Sequence, residues 1–297
     1  MNKKLPFTKS QIQEIIKKYP TPFHIYDEQG IIENANRLID SFSWAHEFKE
    51  YFAVKATPTP KILKLLKNEG CGLDCSSMAE LVMAERVGVT GEDIMFSSND
   101  TPAEEFVKAK SLGAIINLDD ISHIDYLEKH AGSPDLICCR YNPGPLRGGN
   151  AIIGKPEEAK YGFTRKQMFE GYKILKERGI KRFGMHTMIA SNELDPQYFI
   201  DTAKMLFELY IDINKELDIR MEFLNMGGGI GIPYQPHQKA VDLNYIGKEI
   251  QKTYDEMIRP ANLHPLKIFF ECGRMITGPN GYLISNVLHK KQTYKNH

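Results

Sequence analysis

The sequence carries little that would draw it to a charged polymer or into a membrane. Among its 297 residues, 38 basic side chains balance 38 acidic ones, which leaves no net charge to favour nucleic acid or an anionic membrane as a partner. The lysines near the start are followed by no long apolar run, so we expect neither a signal peptide nor a membrane-spanning segment. The hydrophobic content of 42% is ordinary for a globular protein.

Cysteine is also scarce. The five cysteines are odd in number and form no Cys-x-x-Cys pair, which is typical of reduced thiols in a cytoplasmic protein. Cys71 and Cys75 would need further ligands at suitable spacing to hold zinc, so we predict no metal site. The cysteines are Cys71, Cys75, Cys138, Cys139 and Cys272.

The segment Tyr51–Ala56 is predicted to be a short buried strand that ends in a lysine. Its aromatic and apolar residues precede Lys55, and the prolines of Thr57-Pro58-Thr59-Pro60 cannot continue a strand but can start a helix. A lysine buried at the carboxyl end of a strand has a lowered pKa and becomes an amine nucleophile suited to a Schiff base. The alternative is a lysine that reaches solvent from the strand end.

From Tyr51 onward the pattern alternates between strands and helices, which predicts parallel pairing with right-handed crossovers. Eight such units favour a closed (β/α)8 barrel of the TIM type, and a doubly wound open sheet is the alternative. The predicted strands are Tyr51–Ala56, Gly72–Ser76, Ile94–Ser97, Ala114–Leu118, Leu136–Tyr141, Phe183–Met188, Phe223–Met226 and Lys267–Glu271. The predicted helices between them are 60–69, 77–87, 102–112, 121–130, 164–178, 196–216 and 243–258.

Helix-start patterns support these assignments. Capping boxes are predicted at Thr8 with Gln11, Ser77 with Glu80, Thr101-Pro102 with Glu104, and Thr164 with Gln167, and an N-cap at Asp195. Before the barrel we predict a helix over 8–19, a strand over 23–26 and a helix over 31–42. The Gly- and Pro-rich stretch 142–160 is predicted to be a long loop over the carboxyl face, and a last strand beginning at Tyr282 has no obvious partner.

Many reactive side chains lie at the carboxyl ends of the predicted strands. Active sites of α/β barrels are found at these ends. The successive glycines 227–229 can expose backbone N–H groups to a phosphate, but Ile232 stands where a dinucleotide-binding pattern requires glycine. Glu271 follows an apolar run and needs a cationic partner, either Arg274 or a protonated ring nitrogen. His186 is either a core histidine or part of the site, and Asp74 either caps its strand or orients a catalytic group.

Six motifs, in this order, resemble those of the fold-type III pyridoxal-phosphate enzymes, in particular the diaminopimelate, ornithine and arginine decarboxylases. The likeness runs from about Thr21 to the end of the sequence. The motifs are Tyr51-Phe-Ala-Val-Lys-Ala56, Asp74-Cys-Ser-Ser77, Arg140-Tyr-Asn-Pro143, Lys160-Tyr-Gly-Phe163, Gly227-Gly-Gly229 and Glu271-Cys-Gly-Arg274.

The resemblance implies pyridoxal 5'-phosphate (PLP) as cofactor and a role for each matching residue. Lys55 would attach to the cofactor, Glu271 would pair with its ring nitrogen, and His186 would lie against its ring. Arg274 would also reach the substrate. The remaining cofactor-binding residues implied are Asp74, Ser191, Gly227, Gly228, Gly229, Cys272 and Gly273, of which the glycines, Ser191 and Arg274 would hold the phosphate.

Three departures from the family pattern are visible. Cys272 stands where proline is common, and Ser191 lies two residues later than in the usual His-x-Gly-Ser pattern after His186. Family members also continue into a C-terminal β-sandwich that supplies a catalytic cysteine across a homodimer, and this sequence lacks that motif. The resemblance therefore predicts residues 1–30 as an N-terminal segment of the sandwich, 31–276 as the PLP-binding barrel, and 277–297 as the start of an incomplete C-terminal β domain.

The predicted function is decarboxylation of an amino acid, with meso-diaminopimelate to lysine and carbon dioxide preferred, as in lysine biosynthesis. Ornithine, arginine and carboxynorspermidine remain alternative substrates. A PLP-binding barrel without catalysis is a second hypothesis. A third is an aldolase-like enzyme in which Lys55 forms a Schiff base directly with a carbonyl substrate.

Overall fold

The computed structural model describes residues 5–150 and 152–295, in which eight parallel strands close into a barrel and two further strands form a separate sheet. The strands, numbered in chain order, are β1 (Phe23–Tyr26), β2 (Lys49–Ala53), β3 (Gly72–Cys75), β4 (Ile94–Ser97), β5 (Ile115–Leu118), β6 (Leu136–Tyr141), β7 (Arg182–Thr187), β8 (Met221–Asn225), β9 (Lys267–Phe270) and β10 (Gly281–Ile284). Each barrel strand pairs with the next, and β9 pairs with β2. This closure confirms the predicted barrel and excludes the open sheet.

The helices, numbered in chain order, are α1 (Lys9–Lys18), α2 (Glu28–Ser41), α3 (Pro60–Asn68), α4 (Met78–Arg86), α5 (Ala103–Ser111), α6 (Ser122–Ala131), α7 (Arg165–Glu177), α8 (Pro196–Leu217), α9 (Leu243–Met257) and α10 (Arg274–Thr277). The helices α3 to α9 connect successive barrel strands, whereas α1 and α2 precede the barrel and α10 follows its last strand. Within the described ranges, no helix is both long enough and apolar enough to cross a bilayer.

The core has two parts, because neighbouring residues of a strand point to opposite faces. A large cluster lies between the strands and the surrounding helices. A smaller cluster fills the interior of the barrel near the amino ends of the strands, and it consists of Tyr51, Met95, Ile115, Leu136, Cys138, Phe223 and Phe269. The barrel is therefore solid at one end, and a ligand can be accommodated at the carboxyl ends of the strands.

Two of the four predicted capping boxes do not form, although their helices begin where predicted. Thr8 and Thr164 form the capping boxes predicted for them, and Asp195 caps α8 by accepting from the N–H of Gln197. Ser77 makes no side-chain cap, because Glu80 instead accepts from the N–H of Ser76 at 2.8 Å. Thr101 does not cap α5 either, since the N-cap position falls on Pro102.

The strand near the end of the chain has a partner after all. β10 pairs antiparallel with β1, with Phe23 opposite Ile284 and Tyr26 opposite Gly281. The expectation of an unpaired strand is wrong because the partner lies about 250 residues earlier, which local pattern cannot reveal. The assignment of residues 1–30 and 277–297 to a second domain stays a prediction.

The described residues of the predicted loop, 142–150 and 152–160, lie over the carboxyl end of β7, as predicted. The side chain of Asn150 accepts from the N–H of Ser191 at 3.3 Å and donates to Glu193 at 3.0 Å. At the base of the loop, the side chain of Asn142 donates to the carbonyls of Pro156 and Tyr161, both at 3.0 Å.

Candidate active site

A cavity of about 650 Å³ opens at the carboxyl ends of the barrel strands. Its wall is built by loops that follow the barrel strands and by the two-stranded sheet. The predicted site residues on the wall are Lys55, Ser191, Gly229, Glu271, Gly273 and Arg274, and the sheet contributes His24, Tyr26, Gly281 and Leu283.

Lys55 is the second residue after β2, in the middle of a short 3-10 turn formed by Val54–Ala56. Its side chain is 60% exposed, and its Nζ lies 3.7 Å from Oδ2 of Asp74. The negative charge of Asp74 raises the pKa of Lys55, although burial of the amine acts in the opposite direction. The expectation of a buried lysine with a lowered pKa is therefore wrong, because the turn directs the amine into an open cavity beside a carboxyl group.

Asp74 is the buried member of this pair. It ends β3 alongside Cys75, only 2% of its surface is exposed, and its Oδ1 is buried with no hydrogen-bond partner in the described part of the chain. Burial and the nearby charge of Glu271 raise the pKa of Asp74 to about 8, against the lowering effect of Lys55. Asp74 can therefore hold a proton next to the Lys55 amine near neutral pH.

Glu271 is held by one donor on each carboxylate oxygen. Nε2 of His186 lies 3.0 Å from Oε2, and Nδ2 of Asn225 donates to Oε1 at 2.8 Å. Burial opposes ionisation of Glu271, but His186, followed by the charges of Lys55 and Arg140, holds its pKa below the ordinary value. Glu271 is therefore an anion on the cavity wall.

Burial lowers the pKa of His186 despite the neighbouring anion, which favours the neutral form of its imidazole. A neutral imidazole beside a carboxylate donates through Nε2, which leaves Nδ1 as an acceptor. Nδ1 is buried and has no hydrogen-bond partner in the described ranges. Arg274 does not neutralise Glu271, because its guanidinium donates to the hydroxyl of Tyr234 at 3.0 Å.

The glycine run after β8 is a tight turn in which the three glycines have different surroundings. Gly227 and Gly229 have φ angles of +68° and +94°, which side-chain-bearing residues rarely adopt. A Cβ on Gly228 would lie 2.1 Å from the carbonyl oxygen of Glu271. Gly229 lines the cavity, whereas Gly228 allows the segments after β8 and β9 to touch, so the turn also has a structural role.

Cys272 is placed differently from its neighbours in the predicted cofactor-binding set. It is 1% exposed, and its N–H donates to Oε1 of Glu50 at 2.7 Å. The structure therefore brings Glu271, Gly273 and Arg274 to the cavity and puts the Cys272 thiol behind them.

Sequence reasoning missed several polar residues that support the site. Asn225 is the last residue of β8 and precedes the glycine run, a position from which it could have been found. Asp119 follows β5, and its Oδ1 lies 3.2 Å from Nε of Arg140, both side chains being nearly buried. Glu50 gave no sequence indication, because a glutamate at the start of a strand is usually exposed.

The charged side chains that line the cavity are complementary to PLP. An amine, a carboxylate anion and a guanidinium stand on one wall, at Lys55, Glu271 and Arg274. These groups are complementary to the aldehyde, the ring nitrogen and the phosphate of that cofactor, in that order. A cavity of about 650 Å³ is also within the usual range for cofactor sites.

Comparison with known proteins gives a consistent result. The family described as pyridoxal-dependent decarboxylase, pyridoxal binding domain, matches residues 29–278. Protein TabA of Pseudomonas amygdali pv. tabaci is 37% identical over 94% of this chain and 65% of its own length. The diaminopimelate decarboxylase of Methanothermobacter thermautotrophicus is 29% identical over 95% of this chain and 66% of its own length.

A crystal structure of diaminopimelate decarboxylase from M. jannaschii superimposes with a TM-score of 0.86 at 27% identity, over 95% of this chain and 67% of that one. The chain thus spans about two thirds of the length of the proteins that it matches.

Proposed function

The chain belongs to the pyridoxal-dependent decarboxylases, through their pyridoxal-binding domain, and we propose that it uses PLP to remove the α-carboxylate of an amino acid. The observation that carries this proposal is the presence of Lys55, Glu271 and Arg274 on the wall of one cavity at the carboxyl end of a barrel. The family membership argues against the aldolase-like alternative, in which Lys55 reacts with a carbonyl substrate and no cofactor is used.

When bound, PLP supplies an electron sink for the negative charge that remains on the α-carbon as carbon dioxide departs. Lys55 would hold the cofactor covalently through its amine. Asp74, whose Oδ2 lies 3.7 Å from Nζ of Lys55, would hold a proton or return it to that nitrogen. Glu271 would face the ring nitrogen as an anion, and its orientation is set by Asn225 and His186. A full negative charge at that position favours protonation of the ring and hence decarboxylation.

Arg274 would supply the positive charge for an anionic group of the cofactor or the substrate. Its present partner is the hydroxyl of Tyr234, which is 61% exposed. Because an exposed hydrogen bond of this kind is exchanged easily for a charge-assisted one, Arg274 is available to a phosphate or a carboxylate.

The preferred substrate is meso-diaminopimelate, which would yield lysine and carbon dioxide in lysine biosynthesis. Support comes from relatives named diaminopimelate decarboxylase that match more than nine tenths of this chain. Protein TabA is more similar in sequence than these relatives and its name carries no substrate, so ornithine, arginine and carboxynorspermidine stay alternatives.

We also propose a cytoplasmic homodimer for the complete protein. All five cysteines are buried free thiols, a state that the reducing cytosol maintains. The exposed side chains of Leu283, Val287 and Leu288 provide an apolar surface that a second subunit could cover.

The test begins with the visible spectrum of the purified chain mixed with PLP. Borohydride reduction and peptide mapping should place the cofactor on Lys55, and labels scattered over surface lysines would contradict the assignment. Release of carbon dioxide is then measured with meso-diaminopimelate, ornithine, arginine, carboxynorspermidine and lysine. Labelling of Lys55 without release from any of them would indicate a PLP-binding barrel that does not catalyse.

A further inference from the structure

Glu50 is a buried carboxyl group that has no part in the proposed reaction, yet it contacts the segment that does. Only 1% of its surface is exposed, and its Oε1 accepts from the N–H of Cys272 at 2.7 Å. Cys272 stands between Glu271 and Gly273, both of which line the cavity.

The hydrogen bond from Cys272 to Glu50 lies just beyond the point where the pairing of β9 with β2 ends. β2 and β9 are paired at Lys49 with Phe269 and at Glu50 with Phe270, and the pairing ends there. The N–H of Glu271 then turns to the carbonyl of Gly227 on the other side, at 2.8 Å. The N–H of Cys272 is buried and cut off from water, so the Glu50 side chain supplies the acceptor that the ladder no longer provides.

The turn that Glu50 holds also touches the turn that carries Lys55. A Cβ on Gly273 would lie 2.6 Å from Cβ of Ala56 and 3.1 Å from Cβ of Ala53, so the two segments are in direct contact. A shift of the Cys272 backbone would therefore be transmitted both to Glu271 and to the region around Lys55.

We infer that Glu50 is a positioning residue, which fixes the segment Glu271–Arg274 by accepting from the N–H of Cys272 and thereby aims Glu271 and Arg274 into the cofactor cavity. This inference rests on the cavity binding PLP and is independent of which amino acid is decarboxylated.

The chemistry of Glu50 suits this role as a neutral acid. Burial raises its pKa well above the ordinary value, opposed by the hydrogen bond from Cys272, and the charges of Glu271 and Asp74 raise it further. Its Oε2 is buried and receives no hydrogen bond in the described residues, so no donor stabilises a charge on that oxygen. A glutamine, which keeps a carbonyl oxygen at the same place, should therefore replace it.

The experiment compares Glu50→Gln with Glu50→Leu, and Lys49→Leu serves as a control on the same strand. The first readout is hydrogen–deuterium exchange of the peptide spanning 267–276, without cofactor. We expect faster exchange in Glu50→Leu and unchanged exchange in the other two variants. Equal exchange in Glu50→Leu and the parent protein would overturn the inference, whether or not the chain decarboxylates anything.

The second readout is the dissociation constant of PLP, followed through its visible absorption. Loss of one buried hydrogen bond should raise this constant about tenfold in Glu50→Leu, whereas Glu50→Gln should remain within about threefold of the parent. Weakening by Glu50→Gln as large as by Glu50→Leu would show that the charge, not the acceptor, matters, and the inference would be wrong. If Glu50→Leu does not fold, Glu50→Gln is compared with the parent protein, and a dissociation constant raised about tenfold by Glu50→Gln would overturn the inference. Failure of the parent chain itself to bind PLP would instead refute the cofactor site.

Discussion

At the scale of single residues, the site is organised around the ionised carboxylate of Glu271. Its two oxygens accept from His186 and Asn225, and Asn225 is itself oriented because its Oδ1 accepts from the N–H of Gly227 at 2.9 Å. Each donor lowers the free energy of the anion in a place where burial alone would favour the neutral acid. The negative charge is thus part of the folded chain before any cofactor arrives.

Replacement of Glu271 by glutamine should separate binding from chemistry. The variant keeps the shape and removes the charge, so we expect PLP to remain bound and the decarboxylation rate to fall about 100-fold or more. Single-turnover carbon dioxide release measures this. Glu256→Gln, at an exposed carboxylate of α9, is the control and should be silent. An unchanged rate in Glu271→Gln would remove the role assigned to the charge.

Asn225→Asp should destabilise the protein although its shape is conserved. The donor to Glu271 is lost and a second carboxylate is placed beside the first, so the free energy of unfolding should fall by about 2–4 kcal/mol at pH 7. Urea unfolding measures the change. The control is Asn36→Asp, which removes a 3.0 Å hydrogen bond to Glu69 at a half-buried position and should cost under about 1 kcal/mol. Equal losses in the two variants would contradict the assigned role of Asn225.

The stability of the cofactor-free protein should depend on pH through Asp74. Its pKa is about 8 in the folded protein and about 3.9 in an unfolded chain, so folding favours the protonated form. The stabilisation that protonated Asp74 contributes is fully present below the pKa that Asp74 has in the unfolded chain. It is lost as the pH rises toward 8, and the free energy of unfolding falls by at most about 1.4 kcal/mol per pH unit.

The measurement is urea unfolding between pH 4.5 and 8 for the parent and for Asp74→Asn. The difference in unfolding free energy between parent and variant should become less favourable to the parent as the pH rises. Parallel pH profiles would show that Asp74 has an ordinary pKa in the folded state.

Sequence patterns located the charged residues that the cavity presents and His186, which orients Glu271, but not Asn225 or Asp119. Lys55 and Glu271 were predicted at the carboxyl ends of their strands and Arg274 just beyond one, so the barrel topology brings them together. Asn225 reaches Glu271 through a hydrogen bond, and Asp119 forms an ion pair with Arg140; both partners are distant in sequence. The predicted lowering of the Lys55 pKa was wrong for a similar reason. The pKa depends on the charge of Asp74 and on the exposure of the amine in the cavity, and neither can be read from the local sequence.

At the scale of elements, the barrel strands were predicted closely because their apolar runs are short and their helices have clear starts. β4 and β6 have the predicted bounds, and the others differ by a few residues at most. β2 ends earlier than predicted, at Ala53, where its pairing with β3 also ends at Asp74. The end of a strand is thus set by its neighbours, which a local pattern does not contain.

Two shortened chains should behave differently because α10 belongs to the barrel. The side chain of Asn34 donates to the carbonyls of Met275 and Ile276 at 3.1 Å, and Thr277 shares a 2.8 Å hydrogen bond with Thr57. A chain ending at Asn280 keeps these contacts and should fold and bind PLP.

A chain ending at Arg274 loses them, together with the buried side chains of Met275 and Ile276, and should melt about 10 °C lower or not fold. Circular dichroism and PLP absorption distinguish the two chains. Equal melting temperatures would show that α10 is dispensable.

At the scale of the whole molecule, local patterns predicted the barrel but not the pairing of the two strands in the second sheet. Eight successive strand–helix units specify a barrel through contacts between neighbours in sequence, with one long-range closure between β9 and β2. The sheet of β1 and β10 depends entirely on a contact between segments from opposite sides of the barrel sequence. Its side chains nevertheless reach the cavity, so the site is not made by the barrel alone.

The pairing of β1 with β10 has a consequence during protein synthesis. β1 emerges from the ribosome about 250 residues before the strand that it pairs with. At a translation rate of 5–20 residues per second, it waits roughly 13–50 s for that partner. Residues 23–26 would therefore be open to chaperones throughout the elongation of the barrel, and a ribosome that pauses late in the message would lengthen that exposure.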